Sequence, residues 1–460
     1  MRLNYAKIHT ARSVNNINIR KTMDNSTLEQ AAQIALEQAK RYGATAAEAG
    51  VSQSHGLSVK VRQGEVETLE YNNDKGLGIT VYMGGSKASS STADLSEQAI
   101  EDAVKAACGI AKYTEEDDCA GLADTNLMAT DFTDLSLHHP WQLEAEQAIE
   151  IATECEQAGF DIEQQISNSE GATVSSHESQ GIYANSHGFV GYRKSTRHGM
   201  SCTLIANDNN GMQRDYWYDV ACDIADVESA KSIGQHAAQN TLRRLNARTV
   251  NTGNYPVIFA AELAPDLWGQ LISGISGGAL YRKSSFLLDS LGTQILPDFI
   301  HIHEQPHLLK AMGSSNFDSE GVSTQARDIV QEGVLQGYVL SSYSARKLNM
   351  TTTANAGGVH NLTIDSGKYN LSELLKQMHT GVLVTEIMGM GVNIVTGDYS
   401  QGASGFWVEN GEIQYAIDEF TIASNLTNMF KGIQAVGNDI EHRGNTRTGS
   451  VLIEQMMIAS

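Results

Sequence analysis

The chain is predicted to be an α+β protein: an N-terminal α+β region followed by a mostly antiparallel β C-terminal domain, barrel-like or a closed sheet. Two observations predict this. Helix and strand signals in the first half are mixed without regular βαβ alternation, which argues against a doubly wound parallel sheet. Past about Asn254 glycine becomes frequent, and hairpin signals appear at Gln331-Glu332-Gly333 and at Asn410-Gly411. The second signal is the stronger, because an Asn-Gly pair accepts positive φ at both turn positions. At 460 residues, 41% of them hydrophobic, the chain is long for one core, so several domains are expected.

Residues 1–24 carry Arg2, Lys7, Arg12, Arg20 and Lys21 but no apolar stretch. They are expected to be a disordered, dispensable tail, with Met23 as an alternative start, and no secretory signal is expected. The N-terminal α+β domain is placed at 25–130. Its first helix should run from Ser26 to about Arg41, with Ser26-Thr27-Leu28-Glu29 as capping box and Gly43 as stop. Leu57, Val59 and Val61 alternate with polar residues, and Gly76 to Met83 forms a second strand signal. Asp94-Leu95-Ser96-Glu97 opens a helix with Ile100, Ala103, Val104, Ala107 and Ile110 on one face. The acidic, irregular stretch 114–130 reads as a linker.

A central α+β segment occupies 131–250. Pro140 suits a first helical turn, and Ala145, Ala148, Ile149, Ala152 and Cys155 share a face. Short strands are expected over 181–206 and a helix from about Asp226 to Asn246. The β-rich domain occupies 251–460, with one or two helices inserted. No short-period repeat stands out.

Charge and cysteine usage narrow the function classes. Against 32 basic residues stand 54 acidic ones, a net charge of −22, so a phosphate backbone is repelled unless a basic patch overrides the field. No larger Lys/Arg cluster stands out, and Arg243-Arg244 reads as a solvated helix face. Nucleic acid is not expected as a partner. No apolar run spans a bilayer, so no membrane partner is expected either. The five cysteines, Cys108, Cys119, Cys155, Cys202 and Cys222, are odd in number and never spaced CxxC. That fits a reducing compartment and core packing rather than disulfides or a catalytic thiol.

The sequence contains a literal zinc-protease string, His303-Glu304-Gln305-Pro306-His307. HExxH chemistry needs both histidines one helical turn apart, with the glutamate activating a metal-bound water. His303, Glu304 and His307 have that spacing, and His301 could be added as a third ligand. Pro306 breaks the helix at about 3 kcal/mol and pushes Gln305 toward extended geometry. Ile300 and Ile302 alternate with His301 and His303, a strand pattern. On a strand residues 303 and 307 lie about 13 Å apart, too far to share a metal. The string is therefore read as a decoy, a strand entering a turn. Other candidates are equally plain. His138-His139 reads as a loop pair, and Asp318 and Glu320, between Gly313 and Gly321, read as solvated turn acids. Gly76-Leu77-Gly78 sits in a strand rather than a phosphate loop.

Six segments in register resemble the TldD/PmbA family (peptidase family U62), once called modulators of DNA gyrase. They are residues 76–81 (GLGITV), 85–90 (GSKASS), 313–321, 393–400 (NIVTGDYS), 409–411 (ENG) and 437–440 (GNDI), and they cover nearly everything from about residue 25 onward. The resemblance implies two related subunits, one of TldD type whose His-Glu-x-x-x-His helix and C-terminal cysteine hold zinc. Counting back from Arg282-Lys283, the matching helix lies just after Pro265. Its two histidine positions are Gly269 and Gly274, and its glutamate position is Gln270. With the cysteine also missing, the chain resembles the PmbA (TldE) type, with no catalytic or metal residue of its own and no cofactor in this chain. The resemblance further implies a cytoplasmic heteromeric metalloprotease acting on unfolded or short peptides, trimming a peptide antibiotic precursor or removing an antitoxin in some bacteria. Zinc would be in the TldD-type partner, this chain would supply half of the substrate chamber, and a homodimer is allowed when the partner is scarce. Two alternatives stand beside it: a self-sufficient metallopeptidase using His301, His303, Glu304 and His307, and a non-proteolytic regulator binding gyrase or another protein.

Overall fold

The computed structural model describes residues 25–208 and 211–460; the tail expected at 1–24 lies outside the described residues. Helix α1 (Asn25–Arg41) is followed by strands β1 (Ala46–Arg62), β2 (Glu65–Met83) and β3 (Ser86–Thr92), then α2 (Glu97–Ala111). The second set repeats that order as α3 (Ala145–Phe160), β4 (Ile166–Asn185), β5 (Val190–Asp208), β6 (Gly211–Ala221) and α4 (Ala230–Arg243). Equivalent elements begin about 120 residues apart, as Asn25 and Ala145 or Ala46 and Ile166 do. All six strands form one antiparallel sheet in the order β3-β2-β1-β4-β5-β6. The seam between the two sets is β1 against β4, in register from Glu48↔Asn185 to Val61↔Ala172.

Alternation along β1 puts its odd-numbered residues on one face. Ala47, Ala49 and Val51 pack with α1 and α2, while Leu57, Val59 and Val61 pack with α3 and α4. Both helix pairs thus lie on the same face, side by side along very long strands. The strands are far longer than the apolar alternation suggests, because Ser52-Gln53-Ser54-His55 continues β1 between the two helix pairs. There the buried Gln53 and Gln180 sit opposite each other. The β1–β2 turn, Gln63-Gly64, has φ of 52° and 75°, the hairpin geometry that favours glycine.

Several expected boundaries shift. Helix α1 already includes Asn25, so Ser26 does not cap it. Helix α2 is capped by Ser96, whose side chain accepts from Ala99 N; Asp94 instead accepts from Ser96 N at 2.9 Å. Pro140 does not start α3. Residues near it form neither helix nor strand, with His139 N donating to Thr196 Oγ1 at 2.8 Å and Trp141 edge-on to His198. Arg243-Arg244 is not a solvated face: Arg244 reaches Glu386 at 2.6 Å and Arg243 lies over the Phe406 ring. The stretch read as a linker is stitched down. Arg346 donates to the carbonyls of Cys119, Gly121 and Leu122, and Tyr343 and Lys347 hold Asp117.

The C-terminal part runs β7 (Gly253–Phe259), α5 (Ala264–Gly274), α6 (Gly277–Tyr281), β8 (Ile302–Glu304), β9 (Arg327–Gln331) and β10 (Val334–Leu335). Then come α7 (Ser342–Lys347), β11 (Leu362–Ile364), α8 (Leu371–Met378), β12 (Gly381–Met388), β13 (Val392–Asn393) and β14 (Asp398–Glu409). It ends with β15 (Glu412–Asn425), α9 (Leu426–Lys431), β16 (Ile433–Val436), β17 (Thr446–Arg447) and β18 (Val451–Ala459). The order β12-β7-β18-β15-β14 closes because β14 also pairs with β12, so the expected closed sheet is a five-stranded barrel. Its pairs are antiparallel except β7 with β12. Strand alternation sends Val257 and Phe259 toward α5 and Ile258 and Leu383 toward α8. A second sheet, β10-β9-β8-β11-β17, lies beside it. Both glycine hairpins are present: Glu332-Gly333 joins β9 to β10 and Asn410-Gly411 joins β14 to β15, each with two positive φ values. Helices are more numerous than the one or two expected; most span eight residues or fewer, too short to imprint a periodicity. No helix among the described residues is long and apolar enough to cross a membrane.

Candidate functional site

Helix α5 starts with proline in its first turn and buries Leu267, Trp268 and Leu271 in the core. Trp268 Nε1 donates to Thr448 Oγ1 at 2.9 Å, which pins the helix to the segment before β18. Gly269 is exposed, with open space where a side chain would project, and Gln270 is half-buried. Gly274 is buried: a Cβ there would lie 2.8 Å from the Phe286 ring. None of the three positions offers an imidazole, thiolate or carboxylate, so α5 carries no metal-ligand set.

The string around His303 folds as a strand. His303 and Glu304 lie on β8, and His307 lies beyond Pro306 in a turn. Glu304 is 2% exposed. One oxygen accepts from Arg327 Nε at 2.8 Å, the other from Asn355 Nδ2 at 2.6 Å and His360 N at 2.7 Å. Arg327 also donates to Tyr338 O and Asn355 Oδ1. A carboxylate so enclosed fastens β8 to β9 and to the loop that precedes β11. His307 contacts Thr324 Oγ1 at 3.1 Å, and burial holds its pKa below the usual value.

What β8 does gather is a different group. His301 and His303 project from one face of the strand, with ring centroids 4.0 Å apart. Strand β9 brings Asp328 opposite His303, and Asp365 comes just after β11 on the other side, its amide donating to His301 O. His303 Nδ1 is 3.0 Å from Asp328 and its Nε2 is 2.8 Å from Asp365. The two acids escaped the sequence reading because nothing in a three-residue strand announces its neighbours. Only the i, i+2 histidine spacing was visible.

A cleft of about 810 Å³ lies where the segment 133–139, strand β5 and the loop 312–319 meet. Tyr192 to Ser195 of β5 form one wall. Strand β6 pairs with β5 only from His198 onward, whereas β4 pairs along the whole of it. Thr196 N is taken by Leu137 O at 2.9 Å, so it is the backbone of β5 before Thr196 that has β4 on one side and the cleft on the other. Arg193 stacks over Phe317 and donates to the carbonyls of Phe317 and Asp318.

The acids of the glycine-flanked loop are not solvated, as expected of turn residues, but work as fasteners. Asp318 is 1% exposed and accepts from the amides of Glu320, Val322 and Ala356 at 2.8 to 3.0 Å. Burial pushes its pKa up to about 6, against those three amides, which favour the ionised form. Glu320 accepts from Ser342 N at the start of α7. His138 and His139 face different carboxylates, Glu178 at 2.7 Å and Asp223 at 3.4 Å, and so form no joint ligand pair. All five cysteines are free, four of them buried. The contact with Cys155, together with burial, pushes the Cys202 thiol pKa up, which keeps it protonated and inert.

Three family profiles match the chain in succession: PmbA/TldA metallopeptidase domain 1 over residues 47–111, its central domain over 138–245, and its C-terminal domain over 252–460. The protein called Metalloprotease PmbA in Escherichia coli O157:H7 is 50% identical, over 94% of this chain and 96% of its own. A crystal structure from Bacteroides thetaiotaomicron, described as a proposed modulator of DNA gyrase, superposes with a TM-score of 0.89 at 29% identity, covering 94% of this chain and 98% of that one. TldE from Thermococcus kodakarensis shares the fold, with a TM-score of 0.81 at 17% identity, over 94% of this chain and all of the other.

Proposed function

Because the chain belongs to the PmbA/TldD metallopeptidase family, we propose that it is the PmbA/TldE-type subunit of a cytoplasmic heteromeric protease, catalytically inactive alone and completed by a zinc-bearing TldD-type partner. The observation that carries this reading is α5, the helix that would bear the ligands, where Gly269, Gln270 and Gly274 stand instead. The residues of that helix do not fit a metal, and no step of peptide hydrolysis is assigned to this chain. Its contribution is half of the substrate chamber. The short edge of β5 along the cleft, Tyr192 to Ser195, suits an unfolded or short peptide, which would add as an extended strand through backbone hydrogen bonds. Five unpaired cysteines favour a reducing compartment.

A peptide-cleavage assay tests the reading, run on the full chain alone and mixed with the TldD-type subunit from the same organism. The expected result is cleavage only in the mixture. Cleavage by the chain alone, undiminished after the partner has been removed by affinity depletion, would overturn it.

A further inference from the structure

We propose that His301, His303 and Asp365 form a divalent transition-metal site on the five-stranded sheet, with Asp328 as the carboxylate that orients the imidazoles. The proposal goes beyond the peptidase reading and does not depend on it. One ligand atom from each of His301, His303 and Asp365 lies within 4.8 Å of the others, so small rotamer adjustments would close them around an ion bound at roughly 2.0–2.2 Å. The backbone is already committed: His301, just before β8, and His303 within it point the same way, and Asp328 on β9 and Asp365 just after β11 lie beside them.

Three further observations favour a cation over a plain ion-pair cluster. Two carboxylates face two imidazoles, so with neutral histidines the cluster carries two negative charges, in a chain whose net charge is already −22. His301 Nε2 is buried and lies 3.1 Å from Asp328 Oδ1, an ion-pair contact without good hydrogen-bond alignment, so the lone pair of this buried nitrogen is poorly used. The side chains themselves stay open to solvent, 29% for His301, 27% for His303 and 51% for Asp365, so an ion can enter. His303 shows the division of labour expected at a metal ligand. With Nε2 on the ion, its Nδ1 keeps its bond to Asp328, the carboxylate–histidine–metal arrangement that fixes ring orientation. Two imidazoles with a carboxylate suit zinc and its first-row neighbours, whereas magnesium and calcium want oxygen ligands.

The test uses the full-length chain stripped of metal, with zinc as the probe, in equilibrium dialysis and thermal-shift measurements. Wild type should bind one zinc per chain and melt at higher temperature with it, while magnesium at the same concentration does neither. His303→Ala and Asp365→Asn should each weaken zinc binding by at least tenfold, and together abolish it. Asp328→Asn should weaken it by about tenfold, the usual effect of losing an orienting carboxylate. His187→Ala, at an exposed loop, should bind as wild type. All four side chains are partly exposed, so the folded state of each variant can be checked by its metal-free melting curve. Absence of zinc binding in wild type, or unchanged binding in the His303→Ala, Asp365→Asn double variant, would overturn the site. Peptide cleavage plays no part in this readout, so the subunit reading can fail while the site stands, and the reverse.

Discussion

Helix α5 and strand β8 lie about thirty residues apart and divide the requirements of a metalloprotease between them. Helix α5 has the rigid, core-anchored scaffold, with Trp268 locked to Thr448, but glycine and glutamine where ligands would stand. The segment around strand β8 has His301, His303, His307 and a glutamate, but on a scaffold that turns Glu304 into the core and carries His307 away past Pro306. The difference teaches that residue type and residue spacing are separate conditions. Spacing has meaning only with the period of the element that bears it. On a strand the useful interval is two, and His301 and His303 meet it where His303 and His307 do not.

Glu304 is where the contrast between helix and strand is most exposed to experiment. If it is a structural anion, Arg327→Ala should strand it in the core and destabilise the chain by about 3–5 kcal/mol in denaturant unfolding. A variant of unchanged stability would mean that Glu304 is free for chemistry after all. The second buried acid of the region, Asp318, takes its carboxylate hydrogen bonds from backbone amides rather than from a cation, and it should show this in pH dependence. Its folded pKa of about 6 exceeds the unfolded value, so its contribution is fully present below about pH 4 and is lost as pH rises through about 6. The stability difference between wild type and Asp318→Asn should therefore shrink between pH 4 and 7, by at most about 3 kcal/mol. A pH-independent difference would remove the buried acid from the account. The smallest effect separates two glycines of α5. Gly274→His should cost about 1–3 kcal/mol through overlap with Phe286 and Leu287. Gly269→His meets open space and should be neutral or slightly stabilising. Equal costs at the two positions would contradict the burial of Gly274.

Much of the fold was legible because local chemistry and the final structure agree. Pro306 with the Ile300/Ile302 alternation marked β8, Asn410-Gly411 marked the β14–β15 turn, and the alanine-rich faces marked α2 and α3. What was illegible depended on distant partners. Strand β1 runs on through Ser52-Gln53-Ser54-His55 because β2 and β4 flank it on both sides, information that no window of eight residues contains. Residues 114–130 look like a linker until Arg346, more than 200 positions away, supplies the donors for their carbonyls. The repeat of helix, three strands and helix was invisible for a related reason: its two copies share topology and helix placement, not a short sequence period. At the candidate sites the pattern is the same. The histidine pair His301 and His303 could be read from sequence, but its two acids and the edge of β5 along the cleft could not.

The seam between β1 and β4 has a consequence for the chain as it is being made. Strand β1 sits in the middle of the finished sheet, yet one of its two neighbours is encoded about 120 residues downstream. At roughly 5–20 residues per second, the nascent first set waits on the order of ten seconds with that long edge unprotected. During that interval β1 offers an extended row of backbone donors and acceptors, a template on which another unfinished chain could dock. Truncated products ending near residue 160 would carry this edge permanently. They should aggregate even though α1, α2 and their own small core are complete.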